Sequence, residues 1–168
     1  MSQAWITHDL LVQIQWEAES KAPLETGGLL FGYCSEKNQV VVTDMVGPGP
    51  KAIHRKWTFR PDYDFHREES VRIYNESAGI ITYLGDWHSH PSDAAYMSFL
   101  DKRALRNIAR FKSNYIDCPI MLILGRNSRK NSTEWAAGVW RITLKSHKFP
   151  RTDWDFTPLE ITLYDGFN

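Results

Sequence analysis

Cysteine is scarce in this chain. There are two, Cys34 and Cys118, with no CxxC pair between them, which excludes a disulfide-dense scaffold and a cysteine-held zinc. Read alone, they are isolated buried thiols, and a cytoplasmic location is expected. The opening MSQAWITHDLLVQIQWEAES has neither a basic start nor a long apolar stretch, so it does not read as a signal peptide. No run approaches the ~20 apolar residues of a membrane-crossing helix, so no membrane partner is expected. Net charge is also lacking, since 20 Lys and Arg balance 20 Asp and Glu. No overall basic field argues for nucleic acid, and no acidic field argues for a cationic partner. Internal repeats and low-complexity tracts are absent.

The 168 residues fit one domain, 1–168, with a core over about 6–144 and a C-terminal extension over 145–168. The hydrophobic share of 42% is that of an ordinary globule, and seven tryptophans promise a well-filled core or an aromatic-lined groove. The spacing of Ile6, Leu10, Ile14 and Ala18 predicts a helix over 7–20, capped by Thr7 and ended by Pro23. Strands follow at 28–33 and 39–46. The GPGP of 47–50 is a loop, and it lacks the ending of a phosphate-binding loop. KWTFRP reads as a third strand. A helix over 62–79 follows, with Tyr63, Val71, Tyr74 and Ala78 on its apolar face. GIITYLGDWHSH is strand-like, being rich in β-branched and aromatic residues. The helix over 98–111 has an apolar stripe of Leu100, Ala104, Ile108 and Phe111, with Lys102, Arg103, Arg106 and Arg110 opposite. PIMLILG and EWAAGVWRITL are strands joined by the polar NSRKNST, and LEITLYDG is a last edge strand. This order predicts an α/β layered domain, a sheet flanked by helices.

The chemistry concentrates in GDWHSHPSDAAYMSFLD, residues 85–101. On a strand, residues i and i+2 face the same way, so His88 and His90 aim two imidazoles at one point. Imidazole nitrogen is a preferred ligand of Zn²⁺, and Asp101 after the loop offers a third donor. Two histidines and one aspartate leave an open fourth position, the pattern of a catalytic rather than structural zinc. Ser98 and Asp101 read equally as a helix-capping pair. A general base is also needed, and Glu25, just before TGGLLFG, is the candidate; the plainer reading is a solvated glutamate at a strand entrance. Trp87 and the 47–58 segment are candidate groove walls. His54, His66 and His147 have no partner at ligand spacing.

HSHP followed by SFLD, with ETGGLLFG upstream, resembles the JAMM (MPN-plus) metalloprotease signature over about Ile6 to Leu144. The resemblance implies a cytidine-deaminase-like fold, a curved mixed sheet flanked by helices. It implies catalytic zinc on His88, His90 and Asp101, with Glu25 as general acid/base and Ser98 stabilising the oxyanion. The small size and GDWHSHP are similar to the bacterial isopeptidases of antiviral cyclic-oligonucleotide (CBASS) operons. These accompany ubiquitin-activating and ubiquitin-conjugating enzyme homologues. The implied substrate is a protein with an extended C-terminal tail, a ubiquitin-like or nucleotidyltransferase conjugate, bound by strand addition. Rival readings are a non-catalytic MPN scaffold, a RadC-like DNA-associated protein, and a hydrolase of a sulfur-carrier protein.

Overall fold

A computed structural model describes residues 2–35, 39–110, 119–126, 134–148 and 151–166, with backbone alone at 147, 148, 151 and 152. Phe111, Cys118, the NSRKNST connection and the His147 side chain lie outside the described residues. The elements run β1 (Gln3–Thr7), α1 (His8–Lys21), β2 (Gly27–Cys34), β3 (Val40–Val46), β4 (Ile53–His54), β5 (Phe59–Arg60), α2 (Tyr63–Glu76), β6 (Thr82–His90), α3 (Phe99–Arg110), β7 (Ile120–Gly125), β8 (Ala136–Lys148) and β9 (Arg151–Tyr164). The fold is the expected α/β one, a mixed sheet with helices packed on it. The sheet closes on itself in the order β1-β3-β2-β6-β7-β8-β9, with β9 parallel to β1. LEITLYDG is therefore no edge strand, because β9 pairs with β8 on one side and β1 on the other. KWTFRP forms only two residues of ladder, in a separate two-stranded hairpin of β4 and β5.

Each helix covers a distinct patch of the sheet. Leu10, Ile14 and Ala18 of α1 join Leu30, Trp87, Leu122 and Leu124 in the main core. Thr7 caps this helix, its side chain accepting from the Leu10 N–H at 3.1 Å. Ile6, placed on the helical stripe by its spacing, is the buried end of β1 instead. Ile73 of α2 packs with Phe31 and Val46, and Leu105 of α3 packs with Met121, Ile123 and Ile142. β7 is buried on both faces, which accounts for its unbroken apolar run.

Two helix faces differ from the expected ones. On α2 the buried residues are His66 and Ile73, while Tyr63, Val71 and Tyr74 are exposed. The inward face carries a histidine whose Nε2 meets the Gly47 carbonyl at 2.8 Å, so a purely apolar stripe does not find it. On α3 the buried residues are Asp101 and Leu105, and Leu100 is 61% exposed. The true face is rotated by one residue, because it includes a carboxylate. The basic residues of α3 are also not simply solvated. Lys102 and Arg106 hold their charged ends over the Phe156 ring and Arg110 over that of Trp154, both rings on β9.

Cys34 is disulfide-bonded, which corrects the expectation of a free thiol there. Sequence separation carries no information on spatial pairing, and the thiols no longer argue for a reducing compartment. No helix among the described residues is long and apolar enough to cross a membrane.

The rotation of α3 is testable by equilibrium denaturation. Leu105→Ala is expected to cost about 2–5 kcal/mol, as for a buried leucine. Leu100→Ala is expected to stay within about 0.5 kcal/mol of the parent.

Candidate metal centre and active cleft

The site begins with a local irregularity in β6. The pairing of β2 with β6 steps from Leu30↔Gly85 to Phe31↔Tyr83, leaving Leu84 as a bulge residue. Gly85 has φ 149, and a side chain there would run into the Ile120 backbone. Beyond the bulge the alternation of β6 is regular. Trp87 and Ser89 turn inward and are fully buried, while Asp86, His88 and His90 share the opposite face. Trp87 is thus a fully buried core residue, its Nε1–H donating to the Val46 carbonyl at 3.2 Å, and it backs the cleft lining from the core side.

Ser89, between the two histidines, ties the strand to the start of β2. The Thr26 N–H donates to Ser89 Oγ at 3.1 Å, and the Ser89 N–H donates to the Thr26 carbonyl at 2.9 Å. Glu25 is held one residue further on. Its N–H donates to the Arg55 carbonyl at 2.8 Å, and its carbonyl meets His54 Nδ1 at 3.0 Å. His54 stacks on Phe59, and Phe59 lies on Gly27, where a Cβ would collide with its ring. The β4–β5 hairpin therefore clamps the backbone that carries Glu25.

Asp101 reaches the histidines from the first turn of α3. The Ser98 N–H donates to its Oδ2 at 2.7 Å, and the Asp101 N–H donates to Ser98 Oγ at 3.2 Å. This is a reciprocal capping box. The same carboxylate lies 3.1 Å from His88 Nε2 through Oδ1 and 3.7 Å from His90 Nε2 through Oδ2. The two readings of Ser98 and Asp101 in the sequence are thus compatible, since one carboxylate serves the cap and faces the imidazoles.

These donors fit a metal ion. The two Nε2 atoms are 3.0 Å apart. Tetrahedral bonds of about 2.0–2.1 Å put neighbouring ligand atoms about 3.3 Å apart. The three observed separations bracket that value, and the three ligand atoms lie within 4.8 Å of one another. His90 Nδ1 faces the Ala94 carbonyl at 3.4 Å, which favours presentation of the Nε2 lone pair.

Glu25, His88, His90, Ser98 and Asp101 all line one cleft of about 560 Å³. A smaller cavity of about 180 Å³ adjoins it, sharing Glu25, His90 and Ser98. Trp57 and Thr58 form part of the cleft wall, as expected of the 47–58 segment, and Phe59 continues it. Burial pushes the Glu25 carboxyl up to about 7; the charge of His88 opposes this and that of Asp101 adds to it. Burial also works against ionisation of Asp101, but hydrogen bonds from His88 and Ser98 outweigh it and hold the carboxyl well below its usual range. His90 is lowered by burial and by the neighbouring His88.

The sequence pattern gives no role to Thr26, Ser89 and Asp86, and it marks His54 as an ordinary histidine. Asp86 carried a usable signal, because it precedes His88 by two residues and so shares its face. Its carboxyl is raised by burial, partly offset by a hydrogen bond from Tyr83. The roles of Ser89 and His54 rest on contacts with residues 63 and 29 positions away, which no spacing reveals.

With this geometry established, comparison with known proteins defines the class. The chain belongs to the prokaryotic JAB family of JAMM-type metalloproteases: the family model, prokaryotic homologs of the JAB domain, matches residues 7–141. It is 36% identical over 121 residues to the probable metalloprotease y4qB of Sinorhizobium fredii (strain NBRC 101917 / NGR234), covering 71% of this chain and 74% of that one. It is 31% identical over 103 residues to a CD-NTase/cGAS isopeptidase of Escherichia coli (strain TW11681), covering 61% of this chain and 62% of that one. The solution structure of protein DSY2949 from Desulfitobacterium hafniense shares the fold at TM-score 0.64 and 17% identity, over 98% of this chain and 94% of that one.

The raised Glu25 carboxyl gives a pH test on metal-free protein. Between 4.5 and about 7 the folded state keeps a proton that the unfolded state releases, so this group's contribution to stability falls as pH rises through that window. Glu25→Gln mimics the protonated form. In chelator-treated protein its denaturation midpoint should match the parent below the window and exceed it above.

Proposed function

We propose that this protein is a zinc-dependent peptidase or isopeptidase that hydrolyses the bond following the C-terminal tail of a conjugated protein. The observation that carries the reading is Glu25 beside the His88, His90 and Asp101 donor set in one cleft. Two imidazoles and a carboxylate suit Zn²⁺ among the divalent ions. Held there, it would supply Lewis acidity and a lowered pKa for water. Glu25, poised near neutrality, accepts the proton of the attacking water and returns it to the leaving amine. Ser98 Oγ already accepts from the Asp101 N–H, so its own proton is available for an oxyanion developing in the cleft.

The surroundings support a tail rather than a folded surface as the part that enters. The main sheet is closed and presents no free edge among the described residues, whereas the β4–β5 hairpin beside Glu25 does. Trp57, Tyr63 and Leu100 are exposed at the cleft, where they would cover an extended segment. A protein conjugate of nucleotidyltransferase type is the substrate class in the name of the Escherichia coli relative. We infer an antiviral setting in the cytoplasm, with ubiquitin-activating and ubiquitin-conjugating partners, a reading that this likeness supports. A scaffold without catalysis is disfavoured by the complete donor set.

The test is metal content together with hydrolysis of a reporter fused through a candidate tail. Parent and Glu25→Gln should each hold about one zinc per chain, and the variant should lose about 10²–10⁴-fold in rate. Ser98→Ala should lose about 10²–10³-fold. Absence of bound metal in chelator-free parent protein would sink the reading.

A further inference from the structure

The cleft extends beyond the metal donors to Asp86, which has no part in the chemistry above. Among the described residues three carboxylates line it, Glu25, Asp86 and Asp101, and no lysine or arginine does. Asp101 is engaged by His88, His90 and the Ser98 cap, and Glu25 by its place as base. Asp86 has no lysine or arginine partner among the described residues, the imidazoles of His88 and His66 being its nearby positive groups. The Tyr83 hydroxyl donates to its Oδ1 at 2.5 Å, and its Oδ2 has no hydrogen-bond partner among the described residues. His66, a further polar residue of the wall, commits Nε2 to the Gly47 carbonyl. The remaining surface there is apolar, from Leu29, Pro61, Tyr63 and Met121. A half-buried carboxylate among apolar walls is costly unless a positive charge joins it.

We propose that Asp86 anchors a specificity subsite that takes a lysine or arginine side chain of the substrate, resting on the peptidase reading for the direction of the chain. Asp86 precedes His88 by two strand residues, a rise of about 7 Å. An extended substrate rises at the same rate, so the basic residue falls within about two positions of the scissile bond. Its methylenes lie on the apolar walls while its charge meets Oδ2, the usual division of labour in a long cationic side chain.

The experiment uses labelled peptides of glycine and alanine carrying one Lys, Gln or Glu at each of three positions on either side of a central bond. Binding is read by fluorescence anisotropy on zinc-loaded Glu25→Gln protein, and cleavage on the parent. At one position Lys should bind on the order of 10-fold to 100-fold tighter than Gln. Adding Asp86→Asn should bring the two within about threefold, and Asp86→Lys should turn the preference toward Glu. Tyr83→Phe keeps the carboxylate and should keep the discrimination. Metal content reports folding of each variant. Binding indifferent to charge at every position, discrimination that survives Asp86→Asn, or its loss in Tyr83→Phe overturns the subsite. The binding arm decides the subsite and the cleavage arm the hydrolytic reading, so the two fail separately.

Discussion

Three hydrogen bonds between Thr26 and Ser89 join the entrance of β2 to the end of β6, and the active cleft depends on them. They extend the β2–β6 pairing past Gly27↔His88 and bring the Glu25 backbone alongside the histidines. Both residues are fully buried, so a lost partner would leave an unpaired polar group in the interior. That penalty favours one register. The bulge at Leu84 and Gly85 sets the other condition by turning Asp86, His88 and His90 together toward the cleft. A single backbone irregularity thus turns three polar side chains to the cleft, while Trp87 and Ser89 anchor the same strand from behind.

Asp101 links the two halves of the donor set. As the third residue of α3 it closes the capping box with Ser98, and as a near neighbour of both imidazoles it completes the metal donors. The cap restricts the carboxylate before any ion binds, so part of the ordering cost of the site is met by helix formation. Placement at a helix N-terminus also favours the anionic form that a metal ligand requires. This double use explains why the capping signature and the metal signature coincide in the sequence.

Much of the site was legible because its geometry is local. Alternation on a strand brings His88 and His90 together, and the first turn of a helix orients Asp101 relative to Ser98. The α/β layering followed from the order of apolar periods. What failed did so where function alters the pattern. The face of α3 was assigned to Leu100 and Ala104 because Asp101, the residue that turns inward, is polar. The face of α2 was missed for the same reason at His66. Closure of the sheet by β9 and the clamp of His54 on Glu25 depend on pairings between distant segments, which periodicity does not encode. The Cys34 disulfide is a further case, since one cysteine per region gives no sign of proximity.

The parts of the cleft differ in how firmly they are built, and the division follows the chemistry. His88, His90 and Asp101 belong to a central strand and a packed helix, backed by Trp87 and Leu105 in separate core clusters. Rigid support of this kind suits ligands that must keep fixed separations around an ion. Glu25 stands instead on a short approach to β2, steadied by a hairpin of two paired residues on each side. In the proposed role of proton carrier it would serve both an attacking water and a leaving amine, so a small latitude in its position is an advantage. The same hairpin presents a strand edge and Trp57 to whatever enters. A tail seated there would bear directly on the clamp around Glu25, coupling occupancy of the groove to the placement of that carboxylate.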